Sequence, residues 1–311
     1  MFGKVLVTGA AGFIGSAVAK RLISMGYGVI TIDNLSTGKI EMIPQECEYY
    51  IGDVYDEKII CQLENEQLEA IIHIAGQSSG EVSFEKPLYD LDTNTKSTLL
   101  LLNLARKTEC KKFIYASSMS VYGENAEEYV SEISTAMPKS FYAVGKLASE
   151  NYMRIFSGFN IQCTALRFFN VYGIGQNMEN LKQGMFSIYL AQAIKERHII
   201  VKGSKDRFRD FVYIDDVVES VVLALRREKG ELYEVYNVAT GRKKTVEELI
   251  NNIRKSLPYD VSVEYVDGTP GDQHGIYGDN KKIKEDLAWN PKVLFEEGAA
   301  KMIEWAIKEA K

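Results

Sequence analysis

Histidine is scarce in this chain: three among 311 residues, His73, His198 and His274, each isolated from the others. The four cysteines, Cys47, Cys61, Cys110 and Cys163, form no C-x-x-C pair. Zinc sites and disulfide frameworks need such residues at characteristic spacings, so neither is expected. Cysteines so widely spaced read as reduced, mostly buried small hydrophobes of a cytoplasmic protein. Apolar runs stay well short of the roughly 18 residues that a membrane span requires. The first residues pass straight into a strand pattern with no signal-peptide pattern, which again leads us to expect a cytoplasmic protein. Nor is there a surplus of positive charge: 37 Lys+Arg stand against 43 Asp+Glu, a net charge of -6. A nucleic-acid-binding or acidic-membrane surface would be basic, so neither partner is expected. Lys111-Lys112 and Arg242-Lys243-Lys244 read as solvated helix or loop ends. Repeats, low-complexity segments and long linkers are missing as well.

What is present starts at residue 4. Residues 4–8 are a β-branched run that reads as a fully buried strand, and glycine then recurs as Gly9, Gly12 and Gly15 around Phe13 and Ile14. In such a turn the first glycine reverses the chain and the second lets bare backbone approach a phosphate. The third lets the following helix, predicted over 16–25, pack closely on the strand. The helix N-terminus then offers N–H groups and its positive dipole end to a pyrophosphate. A second strand, 28–33, ends in Asp33, 18 residues after Gly15. A carboxylate there accepts both hydroxyls of an adenine ribose and repels a 2′-phosphate, so the cofactor expected is NAD.

The strand–helix alternation continues with strands at 48–52 and 70–75. His73 reads as a packed, hydrogen-bonded core residue, and the small pair Ala75-Gly76 leaves room for a cofactor. Residues 87–107 read as a long helix containing Asn94 and the run Leu99-Leu100-Leu101-Leu102. A helix apolar all round is covered on two sides, by the sheet and by a second subunit, which predicts a homodimer through this helix and the Tyr142 helix. A fifth strand, 112–116, runs into Ser117-Ser118, where open α/β sheets place their ligands. Tyr142 and Lys146 lie four apart, on one face of a helix. A phenol has a pKa near 10, and lowering it about three units takes roughly 4 kcal/mol. A nearby ammonium and the positive nicotinamide ring of NAD are the expected sources, with Ser118 relaying a proton. Beyond residue 174 the βαβ rhythm weakens, with helices at 183–196, 215–227, 245–256 and 294–308 and a strand at 261–266.

These residues, with Asp53-Val54, His73 to Gly76, Ser117 to Gly123, Leu166 to Gly173, Arg209 to Val217, Tyr236 to Val238 and Pro270-Gly271-Asp272, carry a resemblance over nearly the whole length. The chain resembles the extended short-chain dehydrogenase/reductases of the nucleotide-sugar epimerase/dehydratase family, and most of all the UDP-hexose 4-epimerases. The resemblance implies an α/β fold: a Rossmann-like doubly wound parallel sheet with a smaller mixed α/β substrate-binding domain. Residues 1–173 would bind NAD, 174–311 the nucleotide sugar, with about 210–238 crossing back. Asp53 and Val54 would touch the adenine, Asn34 would neighbour its ribose, and Asn94, Ala75 and Gly76 would line the dinucleotide path. Phe168 would sit near the nicotinamide. Asn170, Met185, Phe186, Arg209 and Asp272 would hold the nucleotide diphosphate and its sugar. Arg209 suits a phosphate through two-point geometry, against the alternative of an ion pair with Asp206 or Asp210, and Arg207 is a second candidate.

Departures from the family pattern narrow the reaction. The 4,6-dehydratases carry an Asp-Glu pair where this chain has Met119 and Ser120, which can neither protonate nor remove a hydroxyl. Asp33 disfavours the NADPH of epimerase-reductases. Epimerisation at C4 remains, with UDP-glucuronate decarboxylation or another nucleotide-sugar oxidation as the alternative. A binding protein that lost catalysis would not keep Ser118, Tyr142 and Lys146 together. The family's phosphate-gripping arginine is replaced by Thr269, and Ile276 is intermediate in bulk at a position that governs N-acetyl acceptance. Gln77 to Glu81 is unusual for epimerases and is expected to border the nicotinamide or the sugar.

Overall fold

Along the first strand, alternate residues serve opposite sides. In β1 (Lys4–Thr8), Val5 and Val7 join one buried cluster and Leu6 the other. Side chains of a strand alternate between faces, so a strand apolar on both must be covered twice. The computed structural model describes residues 3–123, 127–268 and 274–310, and it shows this cover. β2 (Gly28–Asp33), β3 (Glu48–Ile51), β4 (Leu68–His73), β5 (Lys112–Ser118), β6 (Gln162–Phe168) and β7 (Tyr233–Val238) complete a seven-stranded sheet ordered β7-β6-β5-β4-β1-β2-β3. Every pairing is parallel. The strand order reverses beside β1, the switch point where such Rossmann-like sheets bind ligands at the strands' carboxyl ends.

Helix α1 (Phe13–Ser24) packs on one face with α4 (Ile214–Leu225), and α2 (Ser97–Lys107) and α3 (Phe141–Phe156) on the other. α1 begins three residues earlier than its apolar spacing predicts, because Gly12 caps it with backbone alone, leaving Phe13 and Ile14 free to enter the first turn. The predicted helix over 87–107 is not uniform. A helical turn at Pro87–Asp90 leads into a π turn at Leu91–Lys96, and α2 follows. A π turn adds one residue to the repeat and shifts the phase of everything after it. Leu101 and Leu102 are consequently buried in the sheet-facing core and Leu99 and Leu100 half-buried, so the leucine run is not an outer face. β5 reaches Ser118, two residues beyond its predicted end, so both serines stand on the strand itself.

Beyond the sheet, Asn170–Tyr172 pairs with Phe211–Tyr213, and Phe208–Arg209 pairs with Lys244–Thr245. These short ladders form a ridge that carries Asn170 and Arg209. Helix α5 (Phe295–Glu309) closes the chain. Cys47, Cys110 and Cys163 are buried and Cys61 is exposed, all with free thiols. Among the described residues no group of His, Cys, Asp and Glu has metal-site geometry, and no helix is long and apolar enough to cross a membrane.

Candidate active site

The cleft over the carboxyl ends of β1 and β2 is open to solvent and, counted with its mouth, offers about 1070 Å³. Gly9, Gly12, Phe13, Ile14 and Gly15 form one wall, Asp33 and Asn34 the far end, and Asp53, Val54, Ala75 and Gly76 the other side. Gly9 has φ +80°, and a Cβ there would lie 2.9 Å from the Ala75 backbone nitrogen. A Cβ on Gly15 would collide with the Gly9 carbonyl. Both positions therefore demand glycine. No side chain caps α1, so its leading N–H groups are left for a ligand. Asp33 is buried, and its two oxygens accept from Ala11 N at 2.9 Å and Leu35 N at 2.8 Å. Each oxygen keeps a lone pair for a hydroxyl. A cradle without Cβ atoms, an uncapped helix and a fixed carboxylate fit the phosphates and the adenine ribose of NAD.

Beside this cleft, where Lys146 Nζ comes close to Gly76, the sheet register sets Ser118 opposite Phe168. Ser140 caps α3, its Oγ accepting from Ala143 N at 3.2 Å, and this start points Tyr142 and Lys146 back over β5. Ser118 is the neighbour that favours ionisation of the Tyr142 hydroxyl. Ser118 Oγ in turn donates to Ser120 Oγ at 3.1 Å. Lys146 Nζ donates to the Ala116 carbonyl at 2.9 Å and lies 4.6 Å from the Tyr115 ring centre and 5.6 Å from that of Tyr142. Burial pushes the Tyr142 phenol up to about 12, Ser118 opposes this, and the Asp90 charge adds to it. Burial also lowers Lys146 to about 8, against the pull of Asp90 and Glu150. In the protein alone burial prevails and the phenol is a weaker acid than in water, so the acidity expected of the ammonium and the nicotinamide ring together has to overcome that burial. From about 12 to neutrality is on the order of 7 kcal/mol, more than the sequence suggested. His73, which burial and Lys146 lower to about 3, is a neutral core residue bonded to Thr8 Oγ1 at 2.9 Å and Ser97 Oγ at 3.1 Å.

Asn94, on the π turn, is fully buried behind Gly76 and donates to the Gln77 carbonyl at 2.9 Å and Asp90 Oδ1 at 3.2 Å. Gln77 borders the cleft mouth, but its side chain is committed to Ser79 and Asp90. Asp90 itself escaped the sequence reading; its only local signal is a spacing of four from Asn94, which puts both on one helix face.

On the opposite ridge Asn170 is half-buried, and its Oδ1 has no hydrogen-bond partner among the described residues, which leaves it to accept from a ligand donor. Met185 begins a helix at Met185–Glu196. Phe186 is corrected: its ring is 1% exposed and stacks on Tyr172 with centroids 5.3 Å apart, inside an aromatic cluster with Phe211 and Phe295. Its side chain serves the core and does not line the site. Arg209 is buried and donates to the Phe208 carbonyl at 2.7 Å; burial and neighbouring Arg207 lower it to about 10. Asp210 is not its partner in an ion pair, since its oxygens accept from Thr240 and from Gly241 and Gly278 backbone. Arg207 is spent on the Ser204 and Lys202 carbonyls. Asp272, with Thr269, Pro270 and Gly271, lies outside the described residues.

Comparison with known proteins identifies the family. The sequence profile of the NAD dependent epimerase/dehydratase family matches residues 5–239. A putative UDP-glucose 4-epimerase of Methanocaldococcus jannaschii is 33% identical over 303 residues, 97% of each chain. Among solved structures, UDP-glucose 4-epimerase of Thermotoga maritima with UDP-glucose superposes with a TM-score of 0.95 at 36% identity, over 99% of this chain and 100% of that one. UDP-glucose 4-epimerase of Thermus thermophilus in complex with NAD gives 0.90 at 31% identity, over 97% and 98%.

Proposed function

Since the chain belongs to the NAD-dependent epimerase/dehydratase family, we propose that it inverts C4 of a nucleotide-diphosphate hexose, in the cytoplasm and as a homodimer. The observation that carries this reading is the convergence of Ser118, Tyr142 and Lys146 beside the glycine-walled cleft, with Met119 and Ser120 following where elimination would need acids. When bound, NAD supplies reversible hydride acceptance; orientation and proton transfer fall to the protein. Gly9 to Gly15 and Asp33 hold the dinucleotide, and Asn170 and Arg209 face the nucleotide diphosphate. Tyr142 takes the C4 hydroxyl proton, with Ser118 aligning the sugar oxygen, and keeps it while the sugar is a 4-ketone. The ketone presents its other face, and Tyr142 returns the proton to the same oxygen. Lys146 stabilises the phenolate as a fixed buried cation. No net oxidation results.

Incubation with UDP-galactose is expected to give a product of equal mass and inverted C4, with no NADH released to solution. Accumulating NADH, or carbon dioxide from UDP-glucuronate, selects the oxidative alternative. Neither sugar exchange nor retained NAD would favour a non-catalytic binding protein.

The homodimer reading rests on an apolar patch, not on the leucine run. Leu88 is 75% exposed, and Phe84, Leu91, Phe141 and Val144 share its side of the sheet, with the Phe84 and Phe141 rings 5.6 Å apart. Contiguous exposed apolar side chains of this kind mark interfaces. Sedimentation at micromolar concentration is expected to give twice the chain mass, and Leu88→Glu a monomer; a wild-type monomer defeats the proposal.

A further inference from the structure

We infer that Asp90 is a positioning residue for the proton-transfer pair: its buried carboxylate, held by Gln77 and Asn94, is the counter-charge against which Tyr142 and Lys146 both work. The inference rests on the reading of those two residues given above. Asp90 is 1% exposed. Its Oδ1 accepts from Gln77 Nε2 at 2.8 Å and Asn94 Nδ2 at 3.2 Å, and it makes no ion pair among the described residues. A carboxylate so deep, with only neutral amides as donors, is expensive to keep, and packing alone would favour an apolar residue there.

Its surroundings explain its presence. A Cβ built on Gly145, the residue before Lys146, would lie 3.6 Å from Asp90 Oδ2, so the carboxylate lies against the helix that carries the two reactive side chains. Asn94 extends it toward the lysine. While Nδ2 donates to the acid, Oδ1 has no partner and converges with Lys146 Nζ on Gly76: a Cβ there would lie 2.5 Å from that Oδ1 and 3.7 Å from Nζ. Burial raises the Asp90 carboxyl, and Gln77, Lys146 and Asn94 pull it back. The other groups around the pair cannot replace it. Glu150, paired with Arg167, acts on the ammonium and not on the phenol, His73 is neutral, and Tyr115 offers only its ring face. Asp90 is thus the acid that acts on phenol and ammonium together, and in the same sense, holding protons on both.

Removing a negative charge lowers the pKa of a phenol and of an ammonium alike. The test is the pH profile of kcat for the NAD-loaded enzyme with UDP-galactose. In Asp90→Asn both limbs of the bell are expected to slide to lower pH together, by about one unit, with the peak reduced roughly tenfold. Asp90→Glu, which keeps the charge, is expected to leave the limbs in place. Ultraviolet difference titration of the loaded enzyme without substrate should show the Tyr142 phenolate forming at lower pH in Asp90→Asn, a band absent from Tyr142→Phe. A merely structural role would change the height and leave the limbs fixed. Should Asp90→Asn fail to fold, Gln77→Met, which removes a donor to the carboxylate, is expected to move the limbs in the same direction by less. Unmoved limbs in the folded variant overturn the inference. An active Tyr142→Phe instead overturns the reading of the pair, so the two failures are distinguishable.

Discussion

Tyr142→Phe is expected to slow epimerisation roughly a thousandfold while leaving bound NAD and the KM for the nucleotide sugar close to the parent values. The ring is buried, so phenylalanine keeps the packing and removes only the proton carrier. The direction of the pH dependence follows from the same atoms. A base must be deprotonated to act, and burial holds this phenol up at about 12 in the protein alone. Activity therefore falls as pH drops below the phenol's pKa in the loaded enzyme, where the positive nicotinamide ring lies close by. Tyr142→Phe erases that acid limb along with the rate. Rates and limb should be measured by stopped assays across pH at saturating sugar nucleotide. A variant as fast as the parent would remove Tyr142 from the chemistry.

The second large effect concerns stability. Glu150→Ala is expected to lower the free energy of unfolding by about 3–5 kcal/mol. Glu150 lies one turn after Lys146 on α3, and its carboxylate grips the Arg167 guanidinium through two contacts, at 2.9 and 2.7 Å. Their side chains are 3% and 7% exposed. Burial works against the charge on Arg167, and Glu150 more than offsets it, holding the guanidinium above its ordinary value. Ser117 also donates to Glu150, and the guanidinium stacks 4.8 Å from the Tyr122 ring centre. Alanine leaves a buried cation with no counter-ion. Denaturant unfolding at matched NAD occupancy measures the loss, because bound cofactor adds stability of its own. The double variant Glu150→Leu, Arg167→Met should recover most of it, since removing both charges leaves nothing to solvate. A loss below about 1 kcal/mol would mean that water reaches the pair.

Much of the dinucleotide half could be read from residues 4–33, because each feature there has a local cause. A β-branched run buried on both faces makes β1, glycines are forced by backbone contacts, and Asp33 closes a strand whose end points at the cleft. His73 was legible for a similar reason: a histidine inside an apolar strand pattern reads as a packed, hydrogen-bonded core residue, and it bonds Thr8 and Ser97 there. The π turn was not legible, since Leu91 to Lys96 is compatible with an ordinary helix and only packing selects the wider turn. With that added residue Leu101 and Leu102 lie inward, and the exposed apolar side chains are upstream, on Phe84, Leu88 and Leu91. Phe186 illustrates another gap: family resemblance assigns a position, but the aromatic cluster around Tyr172 decides where the ring goes. The field on the phenol escaped as well, because Asp90 and the depth of burial act through space from segments far apart in the chain.

β7 is the late arrival in the sheet. The glycine cradle, β1 to β6, Ser118, Tyr142 and Lys146 all precede residue 174, yet β6, which carries Phe168 beside Ser118, finds its outer neighbour only at Tyr233–Val238. A nascent chain emerging from the ribosome therefore holds every reactive group before it can close the ladder next to them. Until those six residues follow, β6 shows a row of unsatisfied backbone groups, open to pairing with any other strand, and this interval is when the chain is most exposed to aggregation.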